Sequence, residues 1–318
     1  MNAEPPYGDE FLISQQYRPR TVDTCILPER LKKVFQEFID TGNIPNLLLT
    51  GTAGVGKTTV ALAMCSELGI SNLFINSSEE RGIDTLRTKI KGFASTFSFK
   101  GRRKVIILDE ADYITPEAQA ALRGAMEEFS QNCTFILTCN FKSRLIDAIH
   151  SRCSVIDFTL NADEKPKIAA LLLNRISEIL HSEKIVFDKA VIVEIIKKFF
   201  PDFRRTLNEI QRYSCNGNID VSVLSQINNV RNLNDLITFL KDKNFGEMRK
   251  WVVVNSDIDP ARIYRKIYDG LYDYLKPESI PQAVIILARY QYQSAFVADQ
   301  EINLVACLTE MMVDNEFK

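Results

Sequence analysis

The chain has 318 residues, of which 46% are hydrophobic and 25% are charged. These are ordinary globular values, and the length suits two or three domains rather than one core. The formal net charge of −2 excludes a uniformly cationic surface, so any nucleic acid would have to be met by a local basic patch. No apolar stretch approaches the roughly 18 residues of a membrane span, and the N-terminus does not resemble a signal peptide. We expect a soluble cytoplasmic protein without membrane contact.

The cysteine and histidine content argues against disulfides and against a histidine-built metal site. The seven cysteines include no C-x-x-C pair, and several lie in apolar runs. Buried reduced thiols are therefore expected. Only two histidines are present.

Strands and helices are predicted to alternate in the first 160 residues. Short apolar runs predict strands at 46–50, 73–76, 105–109, 134–140 and 155–158, and helical periodicity predicts helices at 28–40, 60–68, 83–95, 116–129 and 145–150. This alternation predicts an α/β domain with a parallel sheet of about five strands.

The alternation stops after residue 160. Helices are predicted at 165–180, 188–199, 203–213 and 221–227, and a further helical unit follows them. The predicted domains are therefore an α/β domain at 1–160, a small helical domain at 161–230 and a C-terminal helical domain at 231–318.

The first strand runs into a phosphate-binding loop. The loop is predicted to consist of Gly51, Thr52, Ala53, Gly54, Val55, Gly56, Lys57, Thr58 and Thr59, which match G-x-x-x-x-G-K-[ST]. A strand before the loop and a helix after it would place backbone N–H groups and the positive helix end around a phosphate chain. Lys57 would reach the β- and γ-phosphates, and Thr58 would bind Mg²⁺. The pattern predicts nucleoside-triphosphate binding.

Two later strand ends carry further candidate residues. Asp109 and Glu110 follow four apolar residues. Asp109 would hold hydrated Mg²⁺ there, and Glu110 would orient and deprotonate an attacking water. Asn140 ends the next strand and would help to position that water. The alternative readings are a solvated acidic turn and an ordinary strand-terminating amide.

Arg152 follows a short predicted helix and admits two interpretations. It could act as an arginine finger on a neighbouring subunit's nucleotide. It could also pair locally with Asp147, which lies at helical spacing. The residues alone leave this choice open.

Several runs resemble, in order, the clamp-loader branch of the AAA+ ATPases. They are residues 17–19 (YRP), 76–84 (NSSEERGID), 119–130 (QAALRGAMEEFS), 135–140 (FILTCN), 151–153 (SRC) and 201–208 (PDFRRTLN). Within that branch the chain resembles replication factor C small subunits and, most closely, the large clamp-loader subunits of T-even-like phages. It lacks the zinc-binding cysteine cluster of the bacterial subunits, and Gly124 stands where the family has a second arginine after Arg123.

The resemblance implies an AAA+ P-loop ATPase domain, a helical lid and a helical collar. The collar would join copies of this chain and one different small subunit into an open five-membered ring. ATP-bound subunits would grip a sliding clamp and spiral around primer–template DNA, and hydrolysis would release the closed clamp on the DNA. A chain of phage origin would act in the host cytoplasm.

The resemblance also implies roles for individual residues. Arg152 would be the finger acting in trans, Asn140 the first sensor and Arg204 the lid sensor, with Arg205 as the alternative to Arg204. Asn76 would be a switch that restrains Glu110 until DNA arrives.

An N-terminal segment is expected to border the adenine of ATP. It comprises Ser14, Gln15, Gln16 and Tyr17, with Ile26 nearby in sequence. Flat apolar contacts suit a base, although core packing is an equally good reading of Tyr17 and Ile26.

Basic residues on one helix are the preferred candidates for DNA contact. They are Arg87 and Lys91, with Arg81 just before the helix, and the loop Arg102–Lys104 is a less favoured candidate. The helix would line the ring interior in this family, and contacts to phosphates need only positive charge. The alternative is a solvated charged face.

These observations favour an ATP-hydrolysing clamp-loader subunit. A second class, an AAA+ DNA helicase or branch-migration motor, would share the same nucleotide signatures. A third, a loader subunit that uses ATP only structurally, is disfavoured because Lys57, Glu110 and Arg204 are all present.

Overall fold

A computed structural model describes residues 12–80, 82–96, 103–214, 217–219, 233–256 and 259–318. The chain divides into two compact units, residues 1–221 and 222–318, which are described separately below. No helix in the described part of the chain is long and apolar enough to span a membrane.

The first unit is built on a parallel five-stranded sheet. Its strands are β1 (Leu47–Thr50), β2 (Asn72–Asn76), β3 (Lys104–Asp109), β4 (Cys133–Cys139) and β5 (Ser154–Asp157). They lie in the order β2-β3-β4-β1-β5, and every neighbouring pair is parallel. The three central strands are almost wholly buried because helices cover both faces of the sheet. The predicted five-stranded parallel sheet is confirmed.

In the described residues, six α-helices accompany the sheet. They are α1 (Ile13–Gln16), α2 (Glu29–Thr41), α3 (Lys57–Leu68), α4 (Ile83–Ala94), α5 (Pro116–Glu128) and α6 (Asp147–His150). Alternate residues of β1 separate two cores: Leu47 and Leu49 pack with Phe35 of α2, whereas Leu48 packs on the opposite face. Because all five strands are parallel, their carboxyl ends lie at one common edge of the sheet, where their polar terminal residues meet.

The lid follows β5 within the same unit. It contains α7 (Glu164–Ser182), α8 (Lys189–Phe199) and α9 (Phe203–Tyr213). Two short parallel strands that the sequence did not predict, β6 (Val186–Phe187) and β7 (Asn218–Ile219), join the ends of this region. Two-residue strands carry no detectable periodicity, which is why they were missed. The predicted helix at 221–227 and the predicted boundary at 230 lie outside the described residues.

The described residues of the second unit are mainly helical. Its helices are α10 (Leu233–Lys241), α11 (Phe245–Val254), α12 (Pro260–Asp269), α13 (Leu271–Tyr274), α14 (Ile280–Gln293) and α15 (Gln300–Asp314). Its core includes the fully buried ring of Tyr264, whose hydroxyl accepts a hydrogen bond from Asn303 at 3.0 Å. A bridge between Leu275 and Phe317 fixes the C-terminal residues against this unit.

Candidate nucleotide site

The phosphate loop connects β1 to α3 through residues with positive φ. Gly54 and Gly56 have φ of +75° and +93°, which side-chain-bearing residues rarely adopt. Gly56 is the N-cap of α3, so this turn places the first N–H groups of the helix at the loop. The predicted strand–loop–helix arrangement is present, and it is suited to an anion.

Lys57 is buried, and its ammonium group is fully hydrogen-bonded. Its Nζ donates to the carbonyl oxygens of Gly51 at 2.7 Å and Thr52 at 2.8 Å, and to Asn140 Oδ1 at 2.9 Å. Burial lowers the pKa of Lys57, while the nearby Asp109 and Asp112 oppose that shift. An ammonium group held by neutral oxygens can be transferred to a more strongly charged phosphate acceptor.

The carboxylate of Asp109 lies between two hydroxyl groups. Its Oδ1 accepts hydrogen bonds from Thr58 Oγ1 at 2.5 Å and from Thr138 Oγ1 at 2.6 Å. The neighbouring Glu110 has a left-handed backbone with φ of 54°, and its N–H donates to the same Thr138 hydroxyl at 3.1 Å. A hydroxyl next to a carboxylate supplies oxygen ligands of the kind that Mg²⁺ prefers.

Asn140 is held by a residue that the sequence analysis did not single out. Asp112 is buried and accepts backbone hydrogen bonds from Asn140 at 3.4 Å and from Phe141 at 3.3 Å. Asp112 lies in a 3₁₀ turn directly after Glu110. This turn therefore fixes the ends of β3 and β4 relative to each other. The side-chain oxygen of Asn140 there accepts the hydrogen bond from Lys57 Nζ.

A cavity of about 1140 Å³, counting its open mouth, extends from the loop toward the lid. Of the predicted phosphate-loop residues, Ala53, Gly54, Gly56, Lys57, Thr58 and Thr59 line it, as do Asp109, Glu110 and Asn140. Ser14, Tyr17 and Ile26 also line it, together with Leu172 and Ile179 of the lid. The polar lining residues suit phosphates, and the aromatic and aliphatic ones suit a base.

Some predicted binding residues do not line this cavity. Gly51 and Thr52 contribute carbonyl oxygens to Lys57 instead, and Val55 is buried in the core beside α3. Gln15 and Gln16 are also absent from the cavity wall, although both share α1 with Ser14. Successive side chains of a helix point in different directions, which explains why Ser14 lines the cavity and Gln15 and Gln16 do not.

Tyr17 connects the N-terminal segment to the lid. Its hydroxyl donates to Glu183 Oε1 at 2.5 Å and lies 3.0 Å from the Ser182 hydroxyl. Burial and this bond to Glu183 raise the pKa of Tyr17. Ser182 ends α7 and Glu183 directly follows it, so the predicted base-binding segment is attached to the lid.

The lid reaches the phosphate loop through the start of α9. The Phe203 N–H donates to the Gly54 carbonyl at 3.0 Å. Arg204 lines the cavity, and its charge helps to lower the pKa of Lys57. Arg205 instead stacks on Phe199, with 4.8 Å between its guanidinium carbon and the ring centre. Of the two arginines, Arg204 is the one that the fold directs into the cavity.

Comparison with known proteins identifies the family. The family model for "ATPase family associated with various cellular activities (AAA)" matches residues 47–160. The model for "Sliding-clamp-loader large subunit, AAA+ ATPase lid domain" matches residues 164–225. The sliding-clamp-loader large subunit of Enterobacteria phage T4 is 34% identical over 314 residues, which cover 97% of this chain and 98% of that protein. The chain belongs to the clamp-loader family of AAA+ ATPases.

Other relatives agree with this membership. The replication factor C small subunit of Sulfolobus acidocaldarius is 32% identical over 325 residues, which cover 97% of this chain and 98% of that protein. A solved variant of Thermotoga maritima RuvB has a TM-score of 0.54 at 19% identity, over 70% of this chain and 78% of that one. At that identity the RuvB likeness supports the AAA+ fold alone. The predicted family resemblance and ATP-hydrolysing activity are confirmed.

Arg152 of this clamp-loader chain does not line its own nucleotide cavity. Its Nε donates to Glu127 Oε1 at 3.0 Å, its NH2 nitrogen contacts the same oxygen, and its NH1 nitrogen donates to the Ala148 carbonyl at 2.8 Å. Hydrogen bonding to Arg152 lowers the pKa of Glu127. Arg152 is therefore paired locally, but with Glu127 of α5, so the predicted partner Asp147 is wrong.

Asn76 lies at the end of β2, opposite Asp109 in the strand register. Its Nδ2 donates to Glu79 Oε1 at 2.8 Å, and its Oδ1 accepts from the Ser78 hydroxyl at 2.8 Å. The predicted switch residue is thus one strand away from Glu110, with its amide engaged in its own turn.

The residues predicted to contact DNA differ in their exposure to solvent. Arg87 and Lys91 are exposed on α4 at i,i+4 spacing and so share one face. Arg81 and Arg102 lie outside the described residues. Lys104 is contradicted as a DNA contact because its side chain is buried, with Nζ bonded to the carbonyl oxygen and hydroxyl of Thr96 near the end of α4.

Proposed function

We propose that this chain is an ATP-hydrolysing subunit of a sliding-clamp loader that opens the processivity clamp and places it on primer–template DNA during replication. The observation that carries the proposal is the convergence of Lys57, Thr58, Asp109, Glu110 and Asn140 on one cavity in a chain of the clamp-loader family. These are the residue types that phosphate binding, metal binding and water activation require.

The phosphate end of the cavity would hold the triphosphate of ATP. Lys57 would exchange its carbonyl partners for phosphate oxygens, and the loop N–H groups would bind the remaining charge. Thr58 and Asp109 would hold Mg²⁺, which supplies charge neutralisation of the phosphates when it is bound. The oxygen donors of both side chains fit that ion.

Hydrolysis would depend on Glu110 and Asn140. Glu110 would accept the proton of the attacking water, and Asn140 would help to place that water. Arg204 would contact the γ-phosphate from the lid, so that lid position and nucleotide state are coupled. Tyr17 and Ile26 would border the adenine.

A complete site would require a neighbouring subunit. Arg152 would leave Glu127 and act on the nucleotide of the adjacent chain, where it would stabilise the charge of the transition state. Copies of this chain and one different small subunit would form the open five-membered ring. Arg87 and Lys91 would contact DNA phosphates inside the ring, and Asn76 would couple that contact to Glu110. The proposed place of action is the host cytoplasm if the chain comes from a phage.

Reconstitution tests the proposal. The chain is mixed with the small clamp-loader subunit and clamp of the same replication system, ATP and fluorescent primer–template DNA, and clamp retained on the DNA is measured. We expect loading by the wild-type chain and none by Lys57→Ala. Light scattering of the chain with and without the small subunit gives the assembly. A closed homohexamer that unwinds duplex DNA would contradict the loader and indicate the helicase or branch-migration class.

A further inference from the structure

One buried hydroxyl group connects both acidic residues of the candidate site. Thr138 is the penultimate residue of β4, and its side chain is 2% exposed. Its hydroxyl donates to Asp109 Oδ1 at 2.6 Å and accepts the Glu110 N–H at 3.1 Å. A hydroxyl has a single hydrogen to donate, so the bond to Asp109 uses its whole donor capacity.

The first contact restrains the carboxylate proposed to hold Mg²⁺. Thr138 and Thr58 both donate to Oδ1 of Asp109, whereas Oδ2 accepts no hydrogen bond from a described residue. Two hydroxyl donors on one oxygen fix the carboxylate rotation. Because a carboxylate must present a free oxygen to a hydrated cation, this arrangement keeps Oδ2 available.

The second contact restrains the residue proposed to act as base. Glu110 has φ of 54° and ψ of 45°, a left-handed conformation that side-chain-bearing residues adopt only under constraint. Its N–H is bonded to Thr138, and the next turn is closed by the Tyr113 N–H on the Glu110 carbonyl at 3.0 Å. The peptide on each side of Glu110 is thus held, which sets the direction of its side chain.

We infer that Thr138 is a positioning residue for ATP hydrolysis, which aligns Asp109 and Glu110 through one hydroxyl group. This inference rests on the proposed roles of those two residues. The strand register also places Thr138 beside Asp109. Leu137 is paired with Leu108, and Thr138 and Asp109 are the next residues of the two strands.

The test compares Thr138→Val and Thr138→Ser in the assembled complex with primer–template DNA and clamp. Valine keeps the shape and removes both hydrogen bonds, whereas serine keeps the hydroxyl. We expect Thr138→Val to lower kcat roughly 10- to 100-fold, as loss of an outer-shell partner does, with KM for ATP unchanged. Thr138→Ser should retain most of the activity. Thr134→Val is the matched control, because Thr134 is a buried threonine near the start of the same strand.

A second readout does not depend on hydrolysis. In a Glu110→Gln background, Mg²⁺ is titrated into each variant with a fluorescent ATP analogue, and the Mg²⁺ concentration at half-maximal binding is measured. Adding Thr138→Val should raise that concentration, whereas adding Thr134→Val should not. Thermal unfolding of both variants identifies any general loss of stability.

Two results would overturn the inference while leaving the proposed roles of Asp109 and Glu110 intact. If Glu110→Gln is inactive but Thr138→Val has the same kcat and the same Mg²⁺ dependence as the wild type, Thr138 has no positioning role. Loss of activity in Thr138→Ser as large as that in Thr138→Val would assign the effect to packing. Full activity of Glu110→Gln would instead refute the proposed base, and with it any positioning through that residue.

Discussion

Replacing Gly54 by alanine should displace the lid from the phosphate loop, because a Cβ at this position would lie 1.8 Å from Asp202 Oδ1. Gly56→Ala is the matched control. Gly56 also has positive φ, +93° against +75° for Gly54, but its Cβ would meet nothing within 4 Å. Both alanines should therefore suffer backbone strain, and only the one at 54 should also suffer the collision.

The magnitudes follow from these contacts. Positive φ costs a side-chain-bearing residue about 1–2 kcal/mol in either variant. To avoid the Cβ, Asp202 must move, which weakens its cap bond to the Arg205 N–H at 2.9 Å and the Phe203–Gly54 bond at 3.0 Å. A cap and a backbone hydrogen bond contribute about 1 kcal/mol each. Gly54→Ala should thus lose about 2 kcal/mol more than Gly56→Ala.

Urea unfolding without nucleotide, followed by circular dichroism, measures the difference, and hydrogen exchange of the Phe203 amide locates it. Faster exchange at Phe203 is expected for Gly54→Ala alone. An Asp202→Gly background should remove the excess cost of Gly54→Ala, since glycine is a tolerated N-cap and lacks the colliding carboxylate. Equal destabilisation by the two alanines, or an excess that persists in that background, would refute the reasoning.

Further substitutions test the nucleotide site. Lys57→Ala should weaken ATP binding roughly 10- to 100-fold, because it removes a charged hydrogen bond of about 1.5–3 kcal/mol; titration with a fluorescent ATP analogue checks this, and unchanged affinity would contradict the assigned role. Arg204→Ala should weaken ATP binding about 10-fold in the same titration, whereas Arg205→Ala should not, and the reverse order would move the lid sensor to Arg205. Arg152→Ala should leave ATP binding intact and lower ATPase of the assembled ring about 1000-fold; an equal loss in the isolated monomer would mean that the finger acts in cis. Glu127→Gln releases the local partner of Arg152 and should not reduce ring ATPase, so a loss comparable to Arg152→Ala would assign that pair a purely structural role.

The sheet and the phosphate loop could be predicted because their signals are local. Continuous apolar runs mark the central strands, which are buried on both faces, and the loop pattern of residues 51–58 encodes its own turn. The resemblance to clamp loaders came from short runs in the correct order, and the family comparisons confirmed it.

The contacts that organise the site could not be predicted in this way. Thr138 and Asp112 act on residues of neighbouring strands, and the contact between Asp202 and Gly54 joins positions far apart in sequence. Parallel register would have indicated Thr138, since it follows the residue paired with Leu108. The prediction that Lys104 contacts DNA was wrong because a run of basic residues usually indicates solvent exposure. The side chain of Lys104 is instead buried, and its ammonium group is bound by carbonyl oxygens.

The central claim is that hydrolysis at this site drives clamp loading. Steady-state ATPase of the assembled complex, with the clamp and primer–template DNA added separately and together, tests it most directly. The predicted result is a rate that rises with either addition, rises most with both, and is lost in Glu110→Gln. An ATPase rate that clamp and DNA together leave unchanged, or that Glu110→Gln does not reduce, would contradict this claim.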